Sequence, residues 1–275
     1  MKADPINKAN SPLISVSYSH PSSQGKARTF AEDNHLSCDN LNKCQSQLAL
    51  NFSDLQVELI DIQHNIHLAV DFIEGSLGHR KKYGGGRGQT IARAIGMKQG
   101  KPAPSVLDAT AGLAKDSYVF ACLGCPVTMV ERSPIVAELV KDGIARAVLC
   151  NEFDGIIEQG FKLIVNDALN YLNLIDDENK PDVIYLDPMY PDKKKSASVK
   201  KNMQLLQKLL GHDMDTDDVL NIALQKAAKR VVVKRPKGAA VLSASCKPTL
   251  AYESKGTRYD TYIISQHEEI YANKL

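Results

Sequence analysis

The chain has 275 residues, of which 43% are hydrophobic and 24% are charged. This composition is typical of a globular protein, and the length allows one large α/β domain with a small additional unit. The formal net charge of +2 does not indicate an acidic partner, and six cysteines do not form a disulfide framework in a chain of this length. Every apolar run is far shorter than the roughly 20 residues of a membrane-spanning helix, so we expect no membrane partner.

The N-terminal segment and the cysteines bear on location and on metal binding. Residues 1–40 lack the continuous apolar segment of a secretory signal, so we expect a cytoplasmic protein. Cys122 and Cys125 have the spacing of metal ligands, but no second pair of Cys or His follows at a suitable distance. We therefore expect reduced thiols and no bound metal.

The chain divides into three predicted segments. Residues 1–78 are predicted to form a small α+β unit, and residues 79–104 a basic, glycine-rich connector followed by a helix. Within the first segment the pattern indicates a strand at 12–18, a short helix ending near residue 36, and a meander of short strands at 48–52, 55–61 and 66–72. The remaining segment, residues 105–275, is predicted to be the main domain.

Strands and helices alternate throughout residues 105–275. The predicted strands are 105–108, 127–131, 161–166, 182–186 and 230–235, and the predicted helices are 115–123, 134–149, 169–174, 199–210 and 217–229. Apolar strands unbroken by polar residues indicate a mostly parallel sheet covered on both faces, which is a doubly wound α/β fold. An antiparallel pair at 240–245 and 259–265 is predicted to close one edge. We expect a monomer.

The first predicted strand of this domain leads into a turn suited to a nucleotide-like ligand. The strand ends at Asp108, the chain turns through Gly112, and a helix follows. Backbone N–H groups at such a turn face a ligand bound at the carboxyl edge of the sheet. Only Gly112 remains of the glycine pattern of dinucleotide enzymes, and a plain connection between strand and helix is the alternative.

Two acidic residues end the next two strands. Glu131 lies 19 residues after Gly112, where a carboxylate can accept hydrogen bonds from both ribose hydroxyls of an adenosine cofactor. The alternative is a charged residue that merely ends a strand. Asp167 is placed to meet the adenine edge, and the alternative for it is an N-cap of the helix that begins at Ala168.

The segment Val-Ile-Tyr-Leu-Asp-Pro-Met-Tyr at 183–190 is the most specific motif in the chain. An apolar strand delivers Asp187 to the carboxyl edge, Pro188 stiffens the chain, and Tyr190 presents an aromatic ring. This resembles the Asp-Pro-Pro-Tyr motif of methyltransferases that act on exocyclic amino groups. A carboxylate and a backbone carbonyl can turn the nitrogen lone pair toward a methyl donor, and the ring can stack on the base. The alternative is an ordinary strand end followed by proline.

Two long stretches contain basic residues and no acid. Residues 75–107 contain seven Lys or Arg, and residues 193–212 contain six. Solvated surfaces usually mix both signs, so these blocks favour a polyanion over an ordinary solvated face. The RNA-binding residues predicted from them are Arg80, Lys81, Lys82, Arg87, Lys193, Lys194, Lys195, Lys200 and Lys201.

Four motifs together resemble one family. They are the basic glycine-rich stretch at 70–88, Leu-Asp-Ala-Thr-Ala-Gly at 107–112, Tyr-Leu-Asp-Pro-Met-Tyr-Pro at 185–191 and Lys-Arg-Val-Val-Val-Lys-Arg-Pro at 229–236. Their order resembles the ribosomal RNA small subunit methyltransferase J family over about residues 45–265. The resemblance implies a Rossmann-like class I fold, S-adenosylmethionine as cofactor, and methylation of a guanine N2 in small-subunit ribosomal RNA.

The resemblance also implies residues that contact the cofactor, which are Lys115, Asp116, Glu131, Arg132, Asp167, Ala168 and Asp187. The turn after the first strand adds Asp108 and Gly112 to the predicted cofactor contacts. Asp187, Pro188 and Tyr190 of the motif at 183–190 are the predicted catalytic residues. The sequence departs from the family at Ala114, where a glycine is expected, and at Asp167 and Ala168, where some relatives have two serines.

Two other functions compete with a methyltransferase. Glu131 would suit the ribose of a nicotinamide-dependent oxidoreductase equally well, but the second and third glycines are missing. A non-catalytic RNA-binding or ribosome-assembly protein with the same fold would carry the same basic blocks. It would have no need to keep Asp187, Pro188 and Tyr190 together.

Overall fold

The computed structural model describes residues 13–73, 86–150, 153–188, 197–210 and 216–264, apart from the side chains of Arg87 and of residues 197–200. The chain forms two compact units. The first contains residues 1–70, 138–146 and 194–212, and the second contains the rest. Among the helices of the described ranges, none has the length and apolar character needed to cross a membrane.

The first unit is built on a five-stranded sheet of order β2-β1-β3-β4-β5. Its strands are β1 (Ile14–Tyr18), β2 (Cys38–Asn40), β3 (Leu48–Phe52), β4 (Val57–Asp61) and β5 (Ile66–Leu68), and its first helix is α1 (Gln24–Asp33). Strand β1 is parallel to β2 and β3, whereas β3, β4 and β5 are antiparallel neighbours. The predicted first strand, helix and meander are confirmed, and β2 was not predicted because its three residues carry no apolar pattern.

Two further helical segments belong to the first unit. One is helix α7 (Ala197–Leu210), where the Lys208 ammonium lies 3.3 Å from a carboxylate oxygen of the buried Asp61. Burial raises the pKa of Asp61, but hydrogen bonds from His64 and the charge of Lys208 outweigh it and hold the pKa below its ordinary value. The Asp61 carboxylate therefore stays charged at neutral pH, and its ion pair fixes α7 to this unit.

The other segment is the middle of helix α4 (Pro134–Leu149). A Cβ at Gly143 would lie 2.8 Å from a methyl carbon of Val70 and 2.9 Å from its carbonyl oxygen. Glycine is therefore required inside this helix because the backbone of Val70 approaches so closely. The Arg146 guanidinium donates to the same carbonyl.

The second unit contains a seven-stranded sheet of order β11-β12-β10-β9-β6-β7-β8. Its strands are β6 (Val106–Asp108), β7 (Val127–Glu131), β8 (Phe161–Val165), β9 (Val183–Leu186), β10 (Arg230–Pro236), β11 (Leu250–Glu253) and β12 (Thr257–Ile263). The strands from β10 to β8 are parallel, and β12 is antiparallel to β10 and β11. The predicted five parallel strands and the doubly wound α/β class are confirmed.

Four of the remaining helices follow the predicted order, namely α2 (Thr90–Ala94), α3 (Lys115–Cys122), α6 (Ala168–Asn173) and α8 (Thr216–Lys226). The short helix α5 (Asp154–Glu158) was not predicted. Pro134 begins α4 after Ser133, whose hydroxyl accepts the Val136 N–H at 3.3 Å, so the predicted helix start is confirmed. The valines at 231–233 and Ile184 are fully buried because helices cover both faces of the sheet.

The predicted strand at 240–245 is wrong, and the edge hairpin pairs Leu250–Glu253 with Thr257–Ile263 instead. Carbonyl groups before this hairpin are bound by side chains. The Arg258 guanidinium donates to the carbonyls of Lys237 and Ala239, and Arg235 donates to that of Ala240. The apolar pattern at 239–242 did not reveal these arginine bonds.

Candidate active site

Four charged residues meet at the carboxyl edge of the parallel sheet in the second unit. Asp108 ends β6, Glu131 ends β7, Asp187 follows β9, and Lys234 lies in β10. Strand β6 has β7 on one side and β9 on the other, so the strand order reverses there. In open α/β sheets, ligands bind outside the carboxyl ends of the strands at such a reversal.

The turn after β6 is held by Asp108, which is 2% exposed. One of its carboxylate oxygens accepts the Ser117 hydroxyl at 2.5 Å, and the other accepts the Thr110 N–H at 3.2 Å. Burial raises the pKa of Asp108 to about 7, with a smaller contribution from the Asp116 charge, while these two hydrogen bonds oppose the rise. Asp108 therefore shapes the turn from inside the fold.

The same turn contains two residues with left-handed backbone conformation. Gly112 has φ +52°, and the fully buried Ala114, which is the N-cap of α3, has φ +57°. Only glycine adopts this region without steric cost, which explains why a glycine is expected at the position of Ala114. A Cβ placed on Gly112 would meet no heavy atom within 4 Å, so the turn is open on that side.

Glu131 is joined to this turn by backbone hydrogen bonds. One carboxylate oxygen accepts the Gly112 N–H at 2.9 Å, and the other accepts the Ser133 N–H at 2.8 Å. The side chain is nearly buried and its orientation is fixed. Because a carboxylate has about four lone-pair sites, Glu131 can also accept ribose hydroxyls. That contact stays a prediction.

Asp167 is the N-cap of helix α6, where its carboxylate accepts the Asn170 N–H at 3.1 Å. The alternative given for this residue is thus what the structure shows, and an additional contact with adenine stays a prediction. Ala168 is the first residue of α6. Lys115 and Arg132 are exposed beside the turn and after β7, and their cofactor contacts also stay predictions.

The structure adds Lys234 to the site. Its ammonium lies 2.7 Å from a carboxylate oxygen of Asp116 and 2.8 Å from one of Asp187, and the Tyr185 hydroxyl donates to the same Asp116 oxygen at 2.6 Å. We call these four residues the Lys234 cluster. Sequence reasoning missed Lys234, although a lysine directly after three valines of a central strand is the signal that marks it.

The charges of the Lys234 cluster stabilise one another. Burial lowers the pKa of Lys234, but the Asp187 and Asp116 carboxylates outweigh it and raise the pKa well above its ordinary value. Burial and the same two carboxylates raise the pKa of Tyr185. At neutral pH the cluster therefore contains a protonated lysine, a neutral tyrosine and carboxylates that accept from both.

Asp187 is the most exposed carboxylate of the cluster, with 39% of its side chain accessible, against 12% for Asp116. Its backbone N–H donates to the Thr110 hydroxyl at 2.6 Å, which joins the end of β9 to the turn after β6. Pro188 follows and is buried. The site thus contains one carboxylate that is both anchored and partly exposed.

Several predicted site residues lie outside the described residues, namely Arg80, Lys81, Lys82, Tyr190, Lys193, Lys194 and Lys195. The side chains of Arg87 and Lys200 are also outside them, while Lys201 is exposed on α7 in the first unit. Within the part of the chain that the structure describes, no group of three His, Cys, Asp or Glu side chains is arranged to hold a metal ion.

Comparison with known proteins agrees with this fold. Residues 30–264 match the model of a family of putative SAM-dependent methyltransferases. The SAM-dependent methyltransferase of Neisseria gonorrhoeae has a similar structure, with a TM-score of 0.70 and 32% identity over 92% of this chain and 97% of that one. The fold and the family match therefore define a class I S-adenosylmethionine-dependent methyltransferase.

Relatives with higher sequence identity show which family of methyltransferases the chain belongs to. The ribosomal RNA small subunit methyltransferase J of Aeromonas salmonicida is 48% identical over 80% of this chain and 87% of its own length. The protein of that name from Tolumonas auensis is 50% identical over 72% of this chain and 78% of its own length. The chain belongs to the ribosomal RNA small subunit methyltransferase J family, which confirms the resemblance noted in the sequence.

The residues at the carboxyl edge fit S-adenosylmethionine, the cofactor of this class. The turn at Gly112 is open toward solvent, and the Glu131 carboxylate beside it is held in one orientation by two amides. A fixed anionic acceptor next to an open turn suits a ribose diol. The predicted cofactor is confirmed, and the individual contacts stay predictions.

Proposed function

We propose that the protein transfers a methyl group from S-adenosylmethionine to the exocyclic N2 amine of a guanine in small-subunit ribosomal RNA. The observation that carries this proposal is the Asp187 carboxylate, which is exposed at the carboxyl edge of the sheet while Lys234 holds it from one side. Family membership gives the reaction class, and the relatives named above support the RNA substrate.

The chemistry required of Asp187 follows from the weakness of the nucleophile. The lone pair of an arylamine is delocalised into the ring, so the nitrogen attacks slowly unless the lone pair is turned out of conjugation. A fixed carboxylate that accepts a hydrogen bond from the amine favours that orientation and stabilises the positive charge that develops on nitrogen. Bound S-adenosylmethionine supplies the electrophilic methyl group, and the lost proton leaves from the nitrogen toward the carboxylate or solvent.

Other residues are proposed to hold the cofactor and the base. Glu131 accepts the ribose hydroxyls, Asp167 lies at the adenine edge, and the turn at Gly112 lies against the methionine part. Tyr190 stacks on the guanine. The Pro188 carbonyl is the second acceptor for the amine.

The location of the protein follows from the proposed substrate. An enzyme that modifies ribosomal RNA acts where ribosomes are made, so we place it in the cytoplasm. We also propose that it acts as a monomer. Membership of a methyltransferase family argues against both competing functions.

The basic residues after the motif are proposed to hold RNA phosphates. Replacing Lys193, Lys194 and Lys195 together by Ala should raise the KM for RNA and leave cofactor affinity and the modified nucleotide unchanged, because phosphate contacts position RNA without reading its sequence. Each lost contact should flatten the slope of log affinity against log salt by about 0.7. RNA binding measured at several salt concentrations checks this, and an unchanged slope contradicts it.

The proposed activity is tested by incubating the purified protein with labelled S-adenosylmethionine and small-subunit RNA, naked or assembled, and identifying the methylated nucleoside by mass spectrometry. N2-methylguanosine is the expected product. Methylation of another position, or no transfer to either substrate while S-adenosylhomocysteine binds normally in calorimetry, would overturn the assignment.

A further inference from the structure

We propose that Lys234 is a positioning residue for methyl transfer, which holds the Asp187 carboxylate in place through an ion pair anchored on Asp116 and Tyr185. This inference rests on the proposed function, and it assigns a role to a side chain that does not itself touch the guanine. Lys234 is carried by β10, whereas Asp187 follows the neighbouring strand β9.

The anchor is rigid because it is hydrogen-bonded within the fold. Tyr185 is fully buried in β9, and its hydroxyl donates at 2.6 Å to the Asp116 oxygen that also accepts from Lys234 at 2.7 Å. Asp116 lies in the first turn of α3. The ammonium of Lys234 is therefore fixed between a buried strand and a helix, and its second contact, to Asp187 at 2.8 Å, is directed toward the open edge.

The same geometry shows what the positive charge prevents. The Asp116 and Asp187 oxygens both contact the Lys234 nitrogen. The distance between these two oxygens therefore cannot exceed the sum of the two hydrogen-bond lengths. Two carboxylates this close raise each other's pKa unless a cation lies between them. Without Lys234, Asp187 would turn away from Asp116 or take up a proton, and either change removes the acceptor that orients the amine.

The Asp187 backbone supports the same position from the other side. Its N–H donates to the Thr110 hydroxyl, and the Thr110 N–H in turn donates to Asp108. With the main chain fixed by Thr110 and the carboxylate fixed by Lys234, the side chain of Asp187 has little freedom to rotate. Such restraint matters because misplacement by about 1 Å can cost about 100-fold in rate.

The test compares Lys234→Met with Lys237→Met, a matched control. Lys237 lies three residues further on, at the surface, with 55% of its side chain exposed and an ion pair to Glu253. For Lys234→Met, we expect kcat to fall at least about tenfold with little change in the KM for RNA, because orientation is lost after binding. We also expect a change in the pH profile of kcat. Its acid limb, where kcat falls as the pH is lowered, should move to higher pH by at least about one unit. Lys237→Met should change neither quantity.

Two further variants separate charge from position. Adding Asp116→Asn to Lys234→Met removes the competing carboxylate, so the acid limb should return toward that of the wild type. Lys234→Arg keeps the positive charge but shifts its position. The acid limb of the pH profile of kcat should therefore stay near that of the wild type, while kcat itself falls. This variant also serves if Lys234→Met does not fold.

A readout independent of turnover is the titration of the Asp187 carboxyl, followed by carbon NMR in aspartate-labelled protein and assigned with Asp187→Asn. The proposal requires a higher titration midpoint in Lys234→Met than in the wild type. If Lys234→Met had the titration midpoint and the kcat of the wild type, the proposed role of Lys234 would be overturned. The proposed function would still stand in that case, provided that the wild type methylates guanine N2. If the wild type itself produced no N2-methylguanosine, the proposed function would fail, and the titration would still decide whether Lys234 holds Asp187.

Discussion

Replacing Asp187 by Ala should lower the kcat of methyl transfer by at least about 100-fold, in line with the loss of one preorganised group that stabilises developing charge. The fold and cofactor binding should largely survive. Asp187 lies after the end of β9 and is partly exposed, and its backbone bond to Thr110 does not depend on its side chain. The Lys234 ammonium keeps its second carboxylate partner, Asp116.

Steady-state kinetics at saturating RNA and cofactor measure this effect, and calorimetric titration with S-adenosylhomocysteine measures the binding that should persist. A suitable control is Asp176→Ala, because Asp176 is exposed and makes no side-chain capping bond at the short helix it precedes. Near-wild-type turnover in Asp187→Ala would remove this residue from the catalytic site.

Replacing Glu131 by Gln should weaken cofactor affinity by at least about tenfold, since hydrogen bonds to a charged acceptor contribute about 1.5–3 kcal/mol each. The glutamine keeps one oxygen acceptor but turns an amide toward one of the two backbone N–H groups that Glu131 binds. Some stability should therefore also be lost, because that N–H is left without its acceptor.

Calorimetry with S-adenosylhomocysteine separates these two effects from each other when thermal denaturation is measured on the same protein. Glu158→Gln, at an exposed position on helix α5, is the control for removing a surface carboxylate. If Glu131→Gln lost stability but bound the cofactor as tightly as the wild type, the ribose would have to lie elsewhere, and Glu131 would act only on the turn at Gly112.

The sequence was sufficient to predict the parallel strands, because unbroken apolar runs of β-branched residues such as the valines at 231–233 alternate with helical segments. It also predicted the helix start at Pro134. It predicted an edge hairpin but placed the first strand at 240–245 instead of Leu250–Glu253, and in the region before the hairpin arginine side chains bind carbonyl groups. It did not reveal strand β2, which has no hydrophobic pattern of its own.

Only some residues of the candidate site could be predicted from the sequence. Residues that end strands, such as Glu131 and Asp187, can be found from local pattern, because parallel strands bring their carboxyl ends to one edge. The Lys234 cluster could not be found in this way. Its residues are separated by up to 118 positions, and they meet only because β10 lies beside β9 and α3 follows β6.

The departure at Ala114 has a physical meaning that only the structure provides. A left-handed alanine costs roughly 1–2 kcal/mol relative to a right-handed conformation, a cost that glycine does not pay. The turn nevertheless keeps its conformation, since Asp108, Ser117 and Glu131 bind it from within. The polar contacts of the turn, rather than a second glycine, thus preserve the site.

The central claim is tested most directly by mass spectrometry of small-subunit ribosomal RNA from a strain that lacks this gene. One N2-methylguanosine should be absent from that RNA, should return when the wild-type gene is supplied, and should stay absent when the Asp187→Ala gene is supplied at equal protein level. An unchanged set of N2-methylguanosines in the deletion strain would contradict the claim.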